Sequence, residues 1–447
     1  MATAPDVPSP LTEATNPSSN GPAMPWPFMA AMALIALLAE LAYGVVNNST
    51  MPVYVRDGLG LPNIVGFVGA SFLLAEALLN GPTGILADKY GRRLLMVIGP
   101  LLSVFTCVCT ALLRIPDHGS GQTIGIGILV TLRFLDGAGA AALWPAVFAS
   151  IGDRVDEKQR STAMGLLNVS YMIGLAIGPL VGGLLNDKIA ARLHLATDNP
   201  WRYAPSFGFA ATAFLVAAIV AFIVIPSRAE MRKSQQRQTD AEAIDNPHGA
   251  TITFGAVLQA LQRIPLLLLL VFLIFLGIGL IALNIKFYAM DRLHVTETGF
   301  GQLLLWPALI VAGLSAPLGR LGDKWGKVKA IQLGMGIAAV SMWLIIFFET
   351  PIALIILGSL LGVGFVLSFP SYMALLSDIG GKETRGSVIG AVKAVQGVGM
   401  LIGAALGPVI YQRSQLAPFY GAGALLVISF LLSLVCIRDP KKTDAKV

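Results

Sequence analysis

Charge is scarce in this sequence. Of its 447 residues only 13% are Asp, Glu, Lys or Arg, whereas 55% are hydrophobic, and the mean hydropathy is +0.74. An average soluble domain carries about 25% charged residues, so this composition excludes an ordinary soluble protein. It predicts a chain that crosses a membrane several times.

Cysteine and histidine are also rare. The three cysteines, Cys107, Cys109 and Cys436, fall within apolar runs, which argues against a disulfide framework and against a metal site. The four histidines lie in polar connections, away from any acid or serine within the apolar runs, so we expect no catalytic arrangement. No basic stripe with interleaved aromatic residues indicates a nucleic-acid partner. We therefore expect neither an enzyme nor a protein with a cofactor or metal.

Twelve apolar runs are each long enough to cross a bilayer, which takes about 20 helical residues. The predicted spans are 27–49, 64–87, 94–113, 123–150, 161–185, 204–225, 265–289, 299–318, 329–348, 351–376, 386–410 and 417–437. Six of them precede the longest polar stretch and six follow it. The predicted fold class is an all-α membrane protein of twelve transmembrane helices in two six-helix, pseudo-symmetric halves.

The polar stretch sets the domain boundaries, because it has too little apolar content to fold by itself. The predicted parts are a disordered N-terminal tail (1–25), an N-terminal bundle (26–226), a cytoplasmic linker (227–263), a C-terminal bundle (264–438) and a C-terminal tail (439–447).

The distribution of Lys and Arg predicts the orientation. If both termini and the linker share one side, 21 of the 31 basic residues lie on that side and 7 on the other. Because basic residues favour the cytoplasmic side, both termini are expected in the cytoplasm. We expect an integral protein of the plasma membrane, the inner membrane if the source is bacterial.

A short charged turn is the clearest motif. The turn Gly84–Arg93, with the sequence GILADKYGRR, recurs in degraded form at 319–327 as GRLGDKWGK. A second repeat relates the segment from Gly137 to Gly178 to the segment from Gly362 to Gly403, and a fainter one pairs Tyr54 with Tyr288. Two duplicated halves predict a central binding site between them.

With these motifs the chain resembles the major facilitator superfamily. The turn resembles the superfamily's loop between helices two and three, and the segment from Arg133 to Gly139 resembles its helix-four motif. Helix five matches the spacing of the signature of twelve-helix drug/proton antiporters, at Gly165, Gly174, Gly178, Pro179, Gly182 and Gly183. The resemblance implies a monomeric secondary transporter that works by alternating access, and the glycine spacing favours exchange over symport.

The charged turn has two possible roles. It is either an anchor that fixes the topology or a latch that breaks when the halves rock against each other. An acid among bases favours the latch, because Asp88 can accept hydrogen bonds from a neighbouring helix N-terminus. The expected gating residues are Gly84, Asp88, Gly91, Arg92 and Arg93, with Asp323 in the copy.

Charged residues inside the membrane are costly and therefore indicate function. The candidates for proton coupling are Glu40, Glu76, Arg133 and Asp136. Glu40 is our first choice for the proton carrier and Glu76 the alternative. Arg133 resembles the superfamily's helix-four arginine, which is linked there to proton coupling, but a structural pairing with Asp136 is an equal alternative.

Two lysines also lie in predicted helices. We expect Lys286 to be shallow enough to extend its ammonium group to the membrane surface. Lys393 is interpreted either as a contact for a substrate anion or as the partner of Glu76 or Asp136. With it, the predicted substrate cavity comprises Tyr43, Asn47, Asn80, Trp144, Phe369 and Lys393.

These residues predict proton-coupled efflux of a small amphiphilic or drug-like compound, with protons, a small solute and the lipid bilayer as the partners. The alternative is a proton-coupled symporter that imports an organic anion through Arg133 and Lys393. A third possibility, a receptor or lipid scramblase with a transport fold, would tolerate replacement of Glu40 and Glu76 by glutamine.

Overall fold

A computed structural model describes residues 24–116, 118–196, 198–226, 265–379 and 381–437. Apart from Met24 and Pro25, the two predicted tails lie outside these residues, and so does the predicted linker at 227–263. Within the described residues, twelve helices are long and apolar enough to cross a membrane. The predicted fold class is therefore confirmed.

The first six helices form the N-terminal half. They are α1 (Trp26–Gly58), α2 (Val65–Tyr90), α3 (Arg92–Leu112), α4 (Ser120–Arg154), α5 (Glu157–Leu184, which continues as helix to Arg192) and α6 (Ala204–Val224).

The other six helices form the C-terminal half. They are α7 (Pro265–Asp291), α8 (Glu297–Trp325), α9 (Lys327–Phe347), α10 (Pro351–Ile379), α11 (Gly381–Arg413) and α12 (Ala417–Cys436). The predicted spans match all twelve helices, and the largest difference is at the end of α1.

Helix α1 runs nine residues beyond its predicted end at residue 49. Its last part contains two π-helical stretches, Gly44–Thr50 and Tyr54–Gly58. The polar run after Val46 resembles a helix end in sequence, but these side chains face the protein interior, where Ser49 and Thr50 are fully buried. π-Helical turns often accompany functional sites. The first of these two stretches places Asn47 in the centre of the molecule.

The charged turn and its copy have the same backbone geometry. Gly91 has φ +101° and ψ +145°, and Gly326 has φ +89° and ψ +147°. Each glycine lies between two long helices, and this positive φ is one that side-chain-bearing residues rarely adopt. The duplication inferred from sequence therefore extends to the conformation of the turn.

The two halves contact each other mainly at one end, which we call the closed end and which carries the α1–α2 and α7–α8 connections. There, α2 and α5 of the first half pack against α11 and α8 of the second. A Cβ on Gly66 would clash with the Ala405 carbonyl oxygen, and one on Gly183 with the Glu297 carbonyl oxygen.

At the opposite end, which we call the open end, the helices of the two halves are not packed so closely. Apart from the backbone of their own helices, no described atom lies within 4 Å of a Cβ built on Gly84, Gly165, Gly313 or Gly319. The halves therefore diverge from the closed end towards the end that carries the charged turns.

Candidate functional site

A cavity of about 190 Å³ lies between the two halves, near the middle of the helices. Its polar wall comes from the first half, through Glu40, Tyr43, Asn47 and Arg133, and its far wall from the second half, through apolar residues of α7 and α11. The apolar lining includes Phe72, Leu175, Ala282, Leu283, Met400 and Ala404. A cavity with mostly apolar walls and a few convergent polar groups is typical of a small-molecule site.

Glu40 is an acid without a basic partner in the described part of the chain. The residue is 6% exposed, and the Tyr171 hydroxyl on α5 is a polar neighbour of its carboxylate. Glu76 on α2 is close enough for its charge to repel that of Glu40. A buried carboxylate with no cation beside it is suited to bind a proton or a cation.

Arg133, by contrast, has partners at two of its three guanidinium nitrogens, whereas its buried Nε has no hydrogen-bond partner among the described residues. Its Nη1 donates to Asp136 Oδ2 at 2.5 Å, its Nη2 donates to Asn47 Oδ1, and the guanidinium lies 4.8 Å from the centre of the Phe72 ring. The Arg133–Asp136 pair is 3% and 1% exposed. The structural pairing foreseen from the sequence is therefore present, whereas coupling to a proton stays a prediction.

The other predicted cavity residues lie away from this lining. Asn80 is exposed on α2, and Trp144 packs edge-on against Tyr171 with ring centroids 5.1 Å apart. Lys393 is exposed and places its Nζ 5.9 Å from the centre of the Phe369 ring. Its predicted ion pair with Glu76 or Asp136 is absent from the described residues.

The comparison with known proteins identifies the family. The model of the Major Facilitator Superfamily matches residues 32–277 and 267–447, which together cover most of the chain. The chain belongs to this superfamily. It is therefore an integral membrane transporter rather than an enzyme.

Several superfamily members are similar along most of the chain. Multidrug resistance protein 2 of Bacillus subtilis (strain 168) is 22% identical over 384 residues, 85% of this chain and 88% of the relative. The Multi-drug resistance efflux pump PmrA homolog of Lactococcus lactis subsp. lactis (strain IL1403) is 26% identical over 408 residues, 87% and 89% of the two chains. Both relatives fit the resemblance to the drug/proton antiporter branch.

A solved structure supports the superfamily fold. The crystal structure of a D-xylose-proton symporter superimposes with a TM-score of 0.69 over 91% of this chain and 97% of that chain. At 16% sequence identity this likeness shows the fold alone.

The glycines of the superfamily's helix-five motif hold α5 against two neighbours. Cβ atoms on Gly174, Gly178 and Gly182 would lie 2.8, 2.7 and 2.6 Å from atoms of α1. Gly183 instead faces the backbone of Glu297 in α8, across the boundary between the halves. The motif therefore brings α1, which carries Glu40, into backbone contact with α5, while Gly165 has no such neighbour in the described residues.

Replacing Gly178 with alanine is expected to destabilise the protein, because the new Cβ would lie 2.7 Å from Gly44 Cα. Overpacking of this kind costs about 1–3 kcal/mol. Gly165→Ala is the matched control, since its Cβ would meet no described atom within 4 Å. Thermal unfolding of the two variants in detergent checks this, and equal melting temperatures would contradict the assigned packing.

Two arginines of the charged turn contact other residues of the first half. Arg92 pairs with Asp88 and, at 3.2 Å, with Asp153 at the end of α4. The guanidinium of Arg93 lies 4.2 Å from the centre of the Phe222 ring, and the Asp88 side chain is 67% exposed. The side chain of Asp323 in the copy lies outside the described residues. The latch between the halves therefore stays a prediction. At the open end the halves are apart, so such a contact would form only when this end closes.

Neutralising Asp88 is expected to slow transport while expression stays intact, if the turn acts as a latch. Asp88→Asn removes an interaction of an exposed charge, which contributes at most about 1 kcal/mol, so a decrease in initial rate of up to about fivefold is expected. Uptake into inverted vesicles measures this, and Asp88→Glu, which keeps the charge, is the control. Normal transport by Asp88→Asn would leave only the anchor.

Several interacting residues were missed in the sequence. Lys286 does not extend to the membrane surface but is 1% exposed and pairs with Glu297 at 2.8 Å. That expectation was wrong because Glu297, just outside the predicted helix 299–318, appeared to be a loop residue. Asn186 donates to the same carboxylate at 2.9 Å. The sequence did contain a signal for this ion pair, because Lys286 and Glu297 lie on either side of the short connection between α7 and α8.

Proposed function

We propose that this transporter exports a small amphiphilic or drug-like compound in exchange for protons. The proposal rests chiefly on one observation, the buried Glu40 in the wall of a mostly apolar cavity, to which no basic side chain of the described residues is paired. Such a carboxylate can release its proton when a substrate arrives and take it up again when the substrate leaves. The efflux relatives and the helix-five glycines support the direction of transport.

The orientation follows from the same proposal. The open end carries the charged turns, and basic residues favour the cytoplasmic side. The cavity would then be accessible from the cytoplasm, as an exporter requires when it takes up its substrate. Both termini would be cytoplasmic, in the plasma membrane, and the protein would work as a monomer.

The competing function is the import of an organic anion together with a proton. The contacts of Arg133 weigh against it, since Nη1 and Nη2 of this guanidinium already donate to Asp136 and Asn47. One observation still favours the importer: the exposed side chain of Lys393, beside Phe369, could bind an anionic substrate.

The test is reconstitution into liposomes with an imposed pH gradient. Proton movement is measured with a pH-sensitive dye inside the vesicles, after addition of a lipophilic aromatic cation, a lipophilic neutral amphiphile, an organic anion or a sugar. The proposal expects protons to move against the direction of the amphiphile. Proton movement in the same direction as the anion would support the importer, and no substrate-linked proton flux with any compound would refute both.

A further inference from the structure

We propose that Lys286, Glu297, Asn186 and Ser49 form a polar lock that holds the closed end of the transporter shut and must open in every transport cycle. The proposal does not depend on the substrate or on proton coupling. It requires only that the two halves separate at this end when the cavity opens to the other side of the membrane.

The four residues make one buried cluster. Lys286 Nζ lies 2.8 Å from Glu297 Oε2, and Asn186 Nδ2 donates to the same oxygen at 2.9 Å. Lys286 Nζ also donates to the Ser49 carbonyl oxygen and lies 3.4 Å from Ser49 Oγ. Lys286 is 1% exposed and Glu297 3% exposed, so water does not reach the pair.

The bonds of the cluster cross the boundary between the halves. Lys286 and Glu297 belong to α7 and α8 of the second half, whereas Ser49 and Asn186 belong to α1 and the continuation of α5 in the first. Each charged group therefore has one partner in its own half and one in the other. Separation of the halves breaks both cross-half bonds and brings two charges into contact with water.

Further contacts surround the cluster at the rim. Arg56 pairs with Asp291 at 2.8 Å, and Asp187 Oδ2 accepts from the backbone N–H and the hydroxyl of Thr298, both at 2.8 Å. The side chains of Arg56, Asp187 and Asp291 are 18–28% exposed, so water can replace these bonds at low cost. The rim aligns the two halves, while the buried pair decides whether opening is favourable.

The charges make the lock sensitive to single substitutions. When one member of a buried ion pair is removed, the other is left as an uncompensated charge, which is strongly unfavourable. Opening relieves this cost, because water then hydrates the remaining charge. A substitution of both residues by neutral ones leaves no unpaired charge. Single variants are therefore expected to favour the open form far more than the double variant does.

Distance measurements between spin labels test this in the full-length protein in lipid nanodiscs. Labels are attached at Asn63→Cys and Ser414→Cys, exposed positions at the closed end of the first and second half, after replacement of the three native cysteines with alanine. For Lys286→Met and Glu297→Gln, the ratio of long to short distances is expected to rise at least about tenfold, the effect of 1.4 kcal/mol. For the double variant it is expected to stay within about threefold of the starting protein.

A third variant, Asn186→Leu, tests the lock if a charge variant fails to fold. It removes the hydrogen bond from Asn186 to Glu297 across the halves and keeps the ion pair between Lys286 and Glu297. It is also expected to increase the long distances. The matched control is Tyr54→Phe, which removes a hydrogen bond to the Thr110 carbonyl oxygen within the first half, and is expected to leave the distances unchanged. Unchanged distances in Asn186→Leu and in the single charge variants, or equal shifts in single and double variants, would overturn the lock.

Discussion

Glu40→Gln is expected to abolish substrate accumulation driven by a pH gradient while the cavity still binds neutral amphiphiles. One pH unit is worth about 1.4 kcal/mol per proton, so exchange of one proton for one uncharged substrate can sustain a concentration ratio of about tenfold. Glutamine keeps the shape and the polarity of Glu40 but carries no exchangeable proton. The ratio should therefore fall from about tenfold to one in liposomes with a difference of one pH unit.

Two measurements make the Glu40 prediction specific. Binding of a neutral amphiphile, measured by calorimetry in detergent, should change little in Glu40→Gln, whereas binding of a lipophilic cation should weaken because a buried carboxylate is lost. Glu76→Gln is the matched control on α2. If Glu76→Gln abolishes accumulation and Glu40→Gln does not, the proton site is Glu76. If both variants accumulate substrate normally, proton exchange at this cavity is ruled out.

Much of the fold was predictable because its signals are strong and local. An apolar run of about 20 residues leaves few alternatives to a membrane helix, and the repeated turn places the two halves in register. Gly91 and Gly326 show how far the repeat extends, since both adopt the same positive φ. Tyr54 and Tyr288 are another matched pair, because each directs its hydroxyl to a carbonyl oxygen of a helix in its own half, at Thr110 and Ile345.

The candidate site was only partly predictable, because depth along a helix does not reveal which way a side chain faces. Glu40, Tyr43, Asn47 and Arg133 line one cavity, whereas Glu76, which was expected to meet Glu40 and Arg133, is not part of its lining. The position of Lys393 within α11 suggested an intramembrane charge pair, but its side chain lies over Phe369 instead. Pairing across two helices depends on their rotation, which is set by packing that no local pattern encodes.

The two halves are alike in how their glycines pack but differ in the charged groups that face the cavity. Gly399, Gly403 and Gly407 of α11 pack against the backbone of α7, as Gly174, Gly178 and Gly182 of α5 pack against α1. The fainter glycine pattern of the second half therefore has the same structural role. The difference lies in the charged groups, because the polar wall of the cavity belongs to the first half. Substrate recognition and proton exchange are thus expected to depend mainly on α1, α2 and α4.

Arg133→Leu is expected to cause the second large effect, a loss of stability together with a loss of transport. The substitution leaves Asp136, which is 1% exposed, as a buried acid without its cation. Breaking a buried ion pair in this way costs about 3–5 kcal/mol. The double variant Arg133→Leu/Asp136→Leu removes both charges and should recover most of the thermal stability. Heating followed by size-exclusion chromatography in detergent measures this recovery.

The double variant separates the two roles that the sequence left open for Arg133. If the arginine only pairs with Asp136, the double variant should transport nearly as well as the starting protein once it is stable. If Arg133 also serves the cavity through Asn47, which accepts from its second nitrogen, transport should stay low despite the restored stability. Arg133→Lys sharpens the distinction, because a lysine keeps the charge but cannot reproduce the planar fork that holds both partners. A stable Arg133→Lys variant that transports slowly would assign the arginine to the transport cycle, and full activity of the double variant would reduce it to a structural ion pair.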